Sequence, residues 1–265
     1  MSYKKIFFIG FSEYLNSIKN FKNWIYLGFL DILLKYRRSV IGPWWSSITT
    51  AILIVTLSFL WSKIFNLQIS NYVPYFTTGY ILWIFFSNVV LESCTVLNEN
   101  ALIIKQTNIP ICSYILRNIS KNIILFLHNS VVLIIVISLY ININLASFMM
   151  VLLGLLIFIL ISFNIAVVVS IISSRFNDFA QLVINLVQIT FFLTPIIWEP
   201  TFLKDKIWVT NLNPLYHWIE IIRSPLLNQK YDIYSLIVSI ASLFILILIA
   251  IIILGITHKK ISKWI

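Results

Sequence analysis

Long apolar runs separated by short polar breaks dominate this chain of 265 residues. A helix needs about 20 apolar residues to cross the hydrocarbon core of a bilayer. The pattern predicts six such spans and a tight helical hairpin between the third and the fourth, which only residues 141–145 connect. The spans are expected at 43–65, 74–96, 119–140, 146–171, 179–197 and 233–256. The predicted fold is an all-α integral membrane domain over 1–265, with both termini on one side.

Two segments outside the spans look suited to contact another protein. Over 19–38 the apolar residues recur at helical spacing and the charged residues fall largely off that stripe, which predicts an amphipathic interface helix. Such a helix either anchors the chain to the membrane surface or binds a partner, because the pattern fits both roles. The connection 98–121 predicts a short helix that stops near Pro110, or else an ordinary solvated loop. The candidate contact residues are Lys22, Trp24, Lys35, Tyr36, Arg37, Arg38, Ile104, Lys105 and Gln106.

The connection 198–232 between the last two spans is too apolar for a free loop. It is broken by prolines, and its acidic and basic residues cancel in number. This composition predicts short re-entrant helices, since backbone of that kind persists at membrane depth only when it is buried in protein or lines a cavity. We expect an outer gate here, formed by Pro195, Trp198, Pro214, Tyr216, His217, Glu220 and Arg223.

Composition and charge define the class and the orientation. With 60% hydrophobic and 11% charged residues and a mean hydropathy of +0.96, the chain cannot cover itself with polar surface as a soluble domain. Its net charge of +10 comes from basic residues placed between the apolar runs, which argues against nucleic acid. Fourteen lysines and arginines fall on one predicted face and five on the other, which predicts cytoplasmic termini. We expect no cleaved signal peptide, and reduced thiols at Cys94 and Cys112.

Groups able to do chemistry inside the membrane are scarce. Glu92 and His128 are the ionisable side chains that the prediction holds inside the bilayer, and a hydrogen-bonded neutral imidazole is the simpler role for His128. The sequence contains no catalytic motif, no metal-ligand spacing and no glycine-rich phosphate loop. We therefore assign no catalytic residue, metal or cofactor to this chain, and any ATP-driven work requires another subunit.

The fifth span carries a polar row. Gln181, Asn185 and Gln188 lie at positions i, i+4 and i+7, hence on one helical face. Interhelical hydrogen bonding explains such residues as packing contacts, whereas a continuous row also suits the wall of a polar pathway. With Trp44 and Ser47 of the first span, these residues are the candidates for a substrate pathway.

Several motifs resemble a known family. Residues 36–45 read YRRSVIGPWW and residues 213–223 read NPLYHWIEIIR, with support from RFND at 175–178 and TPI at 194–196. The order of these parts resembles the permease subunit of type-2 ABC exporters, in the branch that exports bacterial O-antigen, capsule and teichoic acid. Where relatives usually have Arg-Asp, this chain has the longer RFND.

The resemblance implies a set of partners. Two permease copies, expected to be identical, would assemble with two cytoplasmic ATPase subunits in the bacterial inner membrane, and ATP and Mg would bind the ATPases. The contact residues named above would rest on those ATPases. The implied substrate is a lipid-linked polysaccharide whose diphosphate Arg37 and Arg38 could attract at the inner headgroup level. Alternatives are a membrane-embedded transferase using His217 and Glu220, and a passive channel.

Overall fold

In the computed structural model, residues 3–258 and 260–265 are described, apart from the side chains of Tyr3 and Asp205. Met1, Ser2 and Lys259 lie outside the described residues. Lys259 is one of the fourteen basic residues counted above on the predicted cytoplasmic face. Every regular element in the described part of the chain is helical. The helices are α1 (Tyr3–Lys19), α2 (Phe21–Lys35), α3 (Trp44–Ile64), α4 (Ile69–Ser93), α5 (Val96–Glu99), α6 (Ala101–Gln106), α7 (Cys112–Tyr140), α8 (Leu145–Arg175), α9 (Asn177–Leu193), a 3-10 segment (Pro200–Lys206), α10 (Trp208–Asn211), α11 (Pro214–Asn228), α12 (Ile233–Thr257) and α13 (Ile261–Trp264).

Five of the described helices are long and apolar enough to cross a membrane: α3, α4, α7, α8 and α12. The fifth predicted span, 179–197, corresponds to α9, which is apolar but has only 17 residues. At a rise of about 1.5 Å per residue, it is shorter than the hydrocarbon core of about 30 Å. The helix ends at Leu193 because the following Thr194 precedes Pro195, and a residue before proline is driven to the extended conformation that Thr194 adopts.

The helices around the connection 98–121 extend further than the apolar runs. Helix α7 begins at Cys112, so Arg117 and Lys121 belong to its first turns and not to a loop. Two short helices, α5 and α6, fill most of the interval from α4, and α6 ends at Gln106, before Pro110. The polar first turns of α7 are helical because they pack on α2 and α4, contacts that hydropathy does not detect.

The core forms where α4, α7, α8 and α11 meet. Fully buried side chains from each of these helices include Phe76, Val89, Ile115, Ile161 and Ile221. Helices α3, α9 and α12 instead expose many large apolar side chains. An exposed apolar surface of this extent suits contact with lipid or with another subunit rather than water.

Helix α1 is the element that the hydrophobic pattern does not predict. It crosses α12 so closely that a Cβ added to Gly10 would lie 2.0 Å from the carbonyl oxygen of Ile251. The contact is reciprocal, since a Cβ on Gly255 would lie 2.1 Å from the carbonyl oxygen of Ile6. Small residues allow helix backbones to approach in this way. The N-terminal helix therefore packs against a helix almost 250 residues away in sequence, at what we call the terminal end of the molecule.

Candidate functional site

At the terminal end, α2 is fixed against the start of α7. Arg117 Nε donates to Asp31 Oδ2 at 2.7 Å, and a second guanidinium nitrogen contacts Asp31 Oδ1. Gly28 allows the approach, because a Cβ there would lie 2.9 Å from the backbone oxygen of Arg117 and would clash with the Ser120 hydroxyl. That hydroxyl donates to the Trp24 carbonyl at 3.1 Å. A bidentate ion pair and a glycine contact hold the two helices in one orientation.

A second ion pair joins α4 to the same part of α7. Lys121 Nζ lies 3.0 Å from Glu92 Oε2, and Asn122 donates to the same oxygen at 2.6 Å. Between the two pairs lies a polar cleft of about 440 Å³, which Lys35 and Glu99 also line. Through these contacts α2, α4 and α7 form one connected cluster at the terminal end.

The predicted contact residues differ in how accessible they are around this cluster. Lys22, Lys35, Arg37, Arg38, Lys105 and Gln106 are exposed. Trp24 and Tyr36 are half-buried, and the Trp24 indole nitrogen donates to the Ser17 carbonyl at 3.2 Å. Ile104 is buried within the chain. The charged members of the set are thus accessible to a partner, while Ile104 packs internally.

The polar row of α9 faces outwards. Gln181, Asn185 and Gln188 are all exposed, and within the row the Gln181 amide donates to Asn185 Oδ1 at 3.3 Å. Val183 is the buried residue of this helix. The two pathway candidates on α3 behave differently, since Trp44 is exposed while Ser47 faces the interior of the chain. The structure thus brings the three amides together on an open surface and turns Ser47 away from solvent.

At the opposite end of the molecule, which we call the far end, Arg223 is the central contact. Its side chain is 2% exposed, pairs with Glu220 at 2.7 Å and donates to the Pro195 carbonyl at 2.8 Å. The guanidinium also lies 4.0 Å from the centre of the Tyr75 ring. Burial alone lowers the pKa of Arg223, but the Glu220 carboxylate and Tyr75 outweigh it and the pKa is raised above its usual value. A permanently charged, buried arginine, each of whose three nitrogens donates a hydrogen bond, thus holds the turn after α9.

Two tyrosines of α4 hold the same turn from the other side. The Tyr75 hydroxyl contacts the carbonyl oxygens of Pro195 and Trp198, each at 3.0 Å, and the Tyr72 hydroxyl donates to that of Ile197. The sequence pattern does not assign these tyrosines to the gate. They lie about 120 residues from their partners, and a tyrosine near a span end reads equally well as an interfacial residue.

His217 and Tyr216 of α11 are held in the same region. The two ring nitrogens of His217 lie 2.8 Å from the Ser235 hydroxyl and 2.9 Å from the Asn211 carbonyl. Burial first, and the Glu220 carboxylate second, raises the pKa of Tyr216 to about 12, so the phenol stays neutral. Both nitrogens of His217 are occupied and the ring is buried, whereas Glu220 pairs with Arg223. The two residues do not form an accessible acid–base pair.

The remaining gate candidates shape the ends of helices. Pro214 occupies the first turn of α11, where its missing N–H costs nothing, and Asn213 caps that helix by accepting from Leu215 N at 3.0 Å. Asn213 also donates to the Thr194 hydroxyl at 3.0 Å. The Trp198 indole donates to the Phe192 carbonyl at 3.0 Å. The structure therefore brings all seven predicted gate residues into the segment that follows α9 and into α11.

Comparison with known proteins gives a family for this architecture. The family model for the ABC-2 type transporter matches residues 8–227. Two curated relatives, both O-antigen export system permease proteins RfbA from Klebsiella pneumoniae, are 26% and 24% identical to the chain over 210 residues. Each alignment covers 76% of the chain and 80% of the relative.

Proposed function

Because this chain belongs to the ABC-2 type transporter family, we propose that it is the permease subunit of an ATP-driven polysaccharide exporter. It is a multi-pass membrane protein, and its family implies an ABC ATPase on a separate chain. The proposed substrate is a lipid-linked, O-antigen-like glycan that leaves the cytoplasm across the inner membrane. The curated relatives, which are named for O-antigen export, support this choice over capsule or teichoic acid.

One observation carries the pathway assignment: the exposed amide row of α9. A polar face within a bilayer must be covered by protein or water, because uncovered polar groups in hydrocarbon are costly. A second permease copy that places its own α9 opposite would enclose these amides. Amides without a net charge bind sugar hydroxyls weakly and repeatedly, which suits a polymer that must slide. In this assembly α9 acts as the fifth of the six spans, continued by the turn at 194–198.

The terminal end supplies the coupling surface in this proposal. With both termini in the cytoplasm, α2 lies at the interface with the ATPase, and ATP and Mg bind to the ATPase. Closure of the ATPases would push on the exposed cations around α2. The Asp31–Arg117 and Glu92–Lys121 ion pairs would transmit that displacement to α4 and α7 as a rigid-body shift.

The competing function, a membrane-embedded transferase, has little support from the candidate residues. Such an enzyme needs an accessible acid or base, and the sequence offers only His217 and Glu220 for that role. His217 is buried with both nitrogens engaged, and Glu220 is paired with a buried arginine. Export with catalysis on the partner ATPase explains the same residues as structural contacts.

Gene deletion and complementation test the export proposal. Deleting this chain should remove the glycan from the cell surface and accumulate it inside, and restoring the chain together with its ATPase should reverse both effects. An ATPase variant that cannot hydrolyse ATP is the matched control and should not restore export. Surface glycan that persists after the deletion would contradict the proposal, and activity of the purified single chain on lipid-linked sugars would favour the transferase.

A further inference from the structure

A polar cleft opens at the far end, beside the gate contacts. It has a volume of about 760 Å³ and lies between the start of α4, the α7–α8 turn, the start of the 3-10 segment and the C-terminal half of α11. We call it the outer cleft. Its volume is within the range of small-molecule sites, about 300–1,000 Å³. We propose that the outer cleft binds an uncharged sugar unit of the glycan as it emerges, an inference that rests on the proposed export function.

The walls of the outer cleft carry free groups that match sugar hydroxyls. Asn71, Tyr140, Asn142 and Asn228 line it, and within the described residues none of their side chains forms a hydrogen bond with the protein. An amide offers both a donor and an acceptor, as does a hydroxyl. Vicinal sugar hydroxyls likewise donate and accept, so they can pair with these groups in several orientations.

The carboxylates of the outer cleft favour a neutral donor over an anion. Arg223 directs both of its contacts with Glu220 to Oε2, so Oε1 has no partner among the described residues. Glu199 supplies a second carboxylate, and Arg223 is the only cation among the described residues that line the cleft. Two carboxylates outnumber the one cation, which is already paired with Glu220, so they repel a phosphate but accept hydrogen bonds from hydroxyls. This charge balance excludes the lipid diphosphate and selects a sugar ring.

The outer cleft also offers apolar surface. Pro74, Pro200, Leu227 and the rings of Tyr75 and Tyr140 line it beside the polar groups. A pyranose has one or two faces of C–H groups framed by hydroxyls. Apolar side chains can pack on such a face while the neighbouring polar groups bind the hydroxyls. Specific small-molecule sites combine an apolar lining with a few placed polar groups in the same way.

The outer cleft shares lining residues with the contacts that hold the turn after α9. Tyr75 and Arg223 line the cleft and also hold the carbonyl oxygen of Pro195 in the turn after α9. A sugar in the cleft therefore contacts the residues that hold this part of the proposed gate. Occupancy would link the arrival of the glycan at the far end to the position of that turn.

Binding to the assembled permease–ATPase complex in nanodiscs tests the site. The probe is the oligosaccharide released by mild acid from the surface glycan of the organism that carries this chain. Asn71→Leu and Asn228→Leu each remove a free amide, so each should weaken binding about fivefold, as expected for one hydrogen bond. The double variant should lose detectable binding and export less glycan. Asn211→Leu, an exposed asparagine outside the outer cleft, is the matched control and should bind like the wild type.

The outcomes separate the site from the export function. If the cleft variants bind the oligosaccharide as tightly as Asn211→Leu does, the site is refuted even though deletion of the chain still abolishes export. If glycerophosphoethanolamine, rather than the oligosaccharide, binds with an affinity that these variants reduce, the outer cleft is a lipid-headgroup site and the proposal is overturned. Thermal unfolding of each purified variant verifies folding, which these exposed positions should preserve.

Discussion

At the scale of single residues, Arg223 concentrates the contacts of the far end. It joins α11 to the turn after α9 and to α4 through Glu220, the Pro195 carbonyl and the Tyr75 ring. A buried charge is tolerated only while its partners satisfy it, so each contact depends on the others.

We predict that Arg223→Met destabilises the protein by about 3 kcal/mol, because it removes the buried guanidinium and leaves the half-buried Glu220 carboxylate without its partner. Thermal unfolding of the detergent-purified chain measures this effect. Adding Glu220→Gln to Arg223→Met should restore part of the lost stability, since the unpaired charge is then removed. Equal stability of Arg223→Met and the wild type would show that the pair does not hold this end together.

The glycine contact between α1 and α12 gives a second prediction at this scale. Gly10→Val should destabilise the protein by about 1–3 kcal/mol, because the added atoms overlap the backbone of α12 and force the helices apart. Gly79→Ala is the control, since its nearest neighbours lie 3.5 Å from the added Cβ, an ordinary contact. If both variants unfold at the same temperature, α1 does not depend on this crossing.

At the scale of elements, α2 combines a packed face with an exposed cationic one. Gly28 and Asp31 hold it on α7, whereas Lys22 and Lys35 are exposed and form no ion pair with another described residue. That division fits a helix that receives force on one side and transmits it on the other.

We predict that the double variant Lys22→Glu/Lys35→Glu reduces recovery of the ATPase with the permease up to about fivefold, since an exposed ion pair contributes about 0.2–1 kcal/mol. Co-purification measures this, and the loss should be larger at low ionic strength. Lys63→Glu, an exposed charge reversal at the end of α3, should leave recovery unchanged. Full recovery and coupled hydrolysis in the double variant would reduce α2 to a membrane anchor.

Helix α9 gives the prediction for the pathway. Asn185→Leu removes the middle amide of the exposed row, so export should fall about fivefold, the equivalent of one hydrogen bond, while assembly and basal ATP hydrolysis are kept. Thr190→Val changes the opposite side of α9 and should export normally. Surface glycan is measured beside the yield of permease dimer. A dimer yield that falls in proportion to export would instead identify the row as a packing contact.

At the scale of the whole molecule, the two ends carry opposite roles in the proposed orientation. The exposed cations of the candidate contact set lie with both termini, and the proposed proline-rich gate and the outer cleft lie at the far end. Every mechanism proposed here requires that the first end faces the cytoplasm and the second the outside.

Cysteine labelling in intact cells tests that orientation. We predict that a membrane-impermeant thiol reagent modifies Lys206→Cys and not Lys105→Cys, because both positions are exposed but on opposite faces. The native Cys94 and Cys112 are buried and should contribute little background, and the unsubstituted chain is the control. The reverse labelling pattern would overturn the topology and each role assigned from it.

The sequence by itself determined the class of the protein and the helical segment that carries most of the proposed gate residues. Apolar runs of span length exclude a soluble fold whatever the tertiary structure, because the requirement for about 20 apolar residues is local. The motif at 213–223 located α11 and the arginine within it, and the helical period placed the three amides of α9 on one face. These features depend on spacing along the chain, so the sequence could reveal them.

Only the tertiary structure decided the long-range contacts. Helix α1 packs against α12, Tyr75 contacts the turn after α9 and Asp31 pairs with Arg117. In each case the partners are so far apart in the sequence that no local pattern predicts the contact. The structure also turned Ser47 inward and stopped α9 at Leu193, although hydropathy continues to residue 197. The physical reason is that the type of a side chain, apolar or polar, does not specify which distant residue it will contact. Packing selects that partner, and with it the face that remains open.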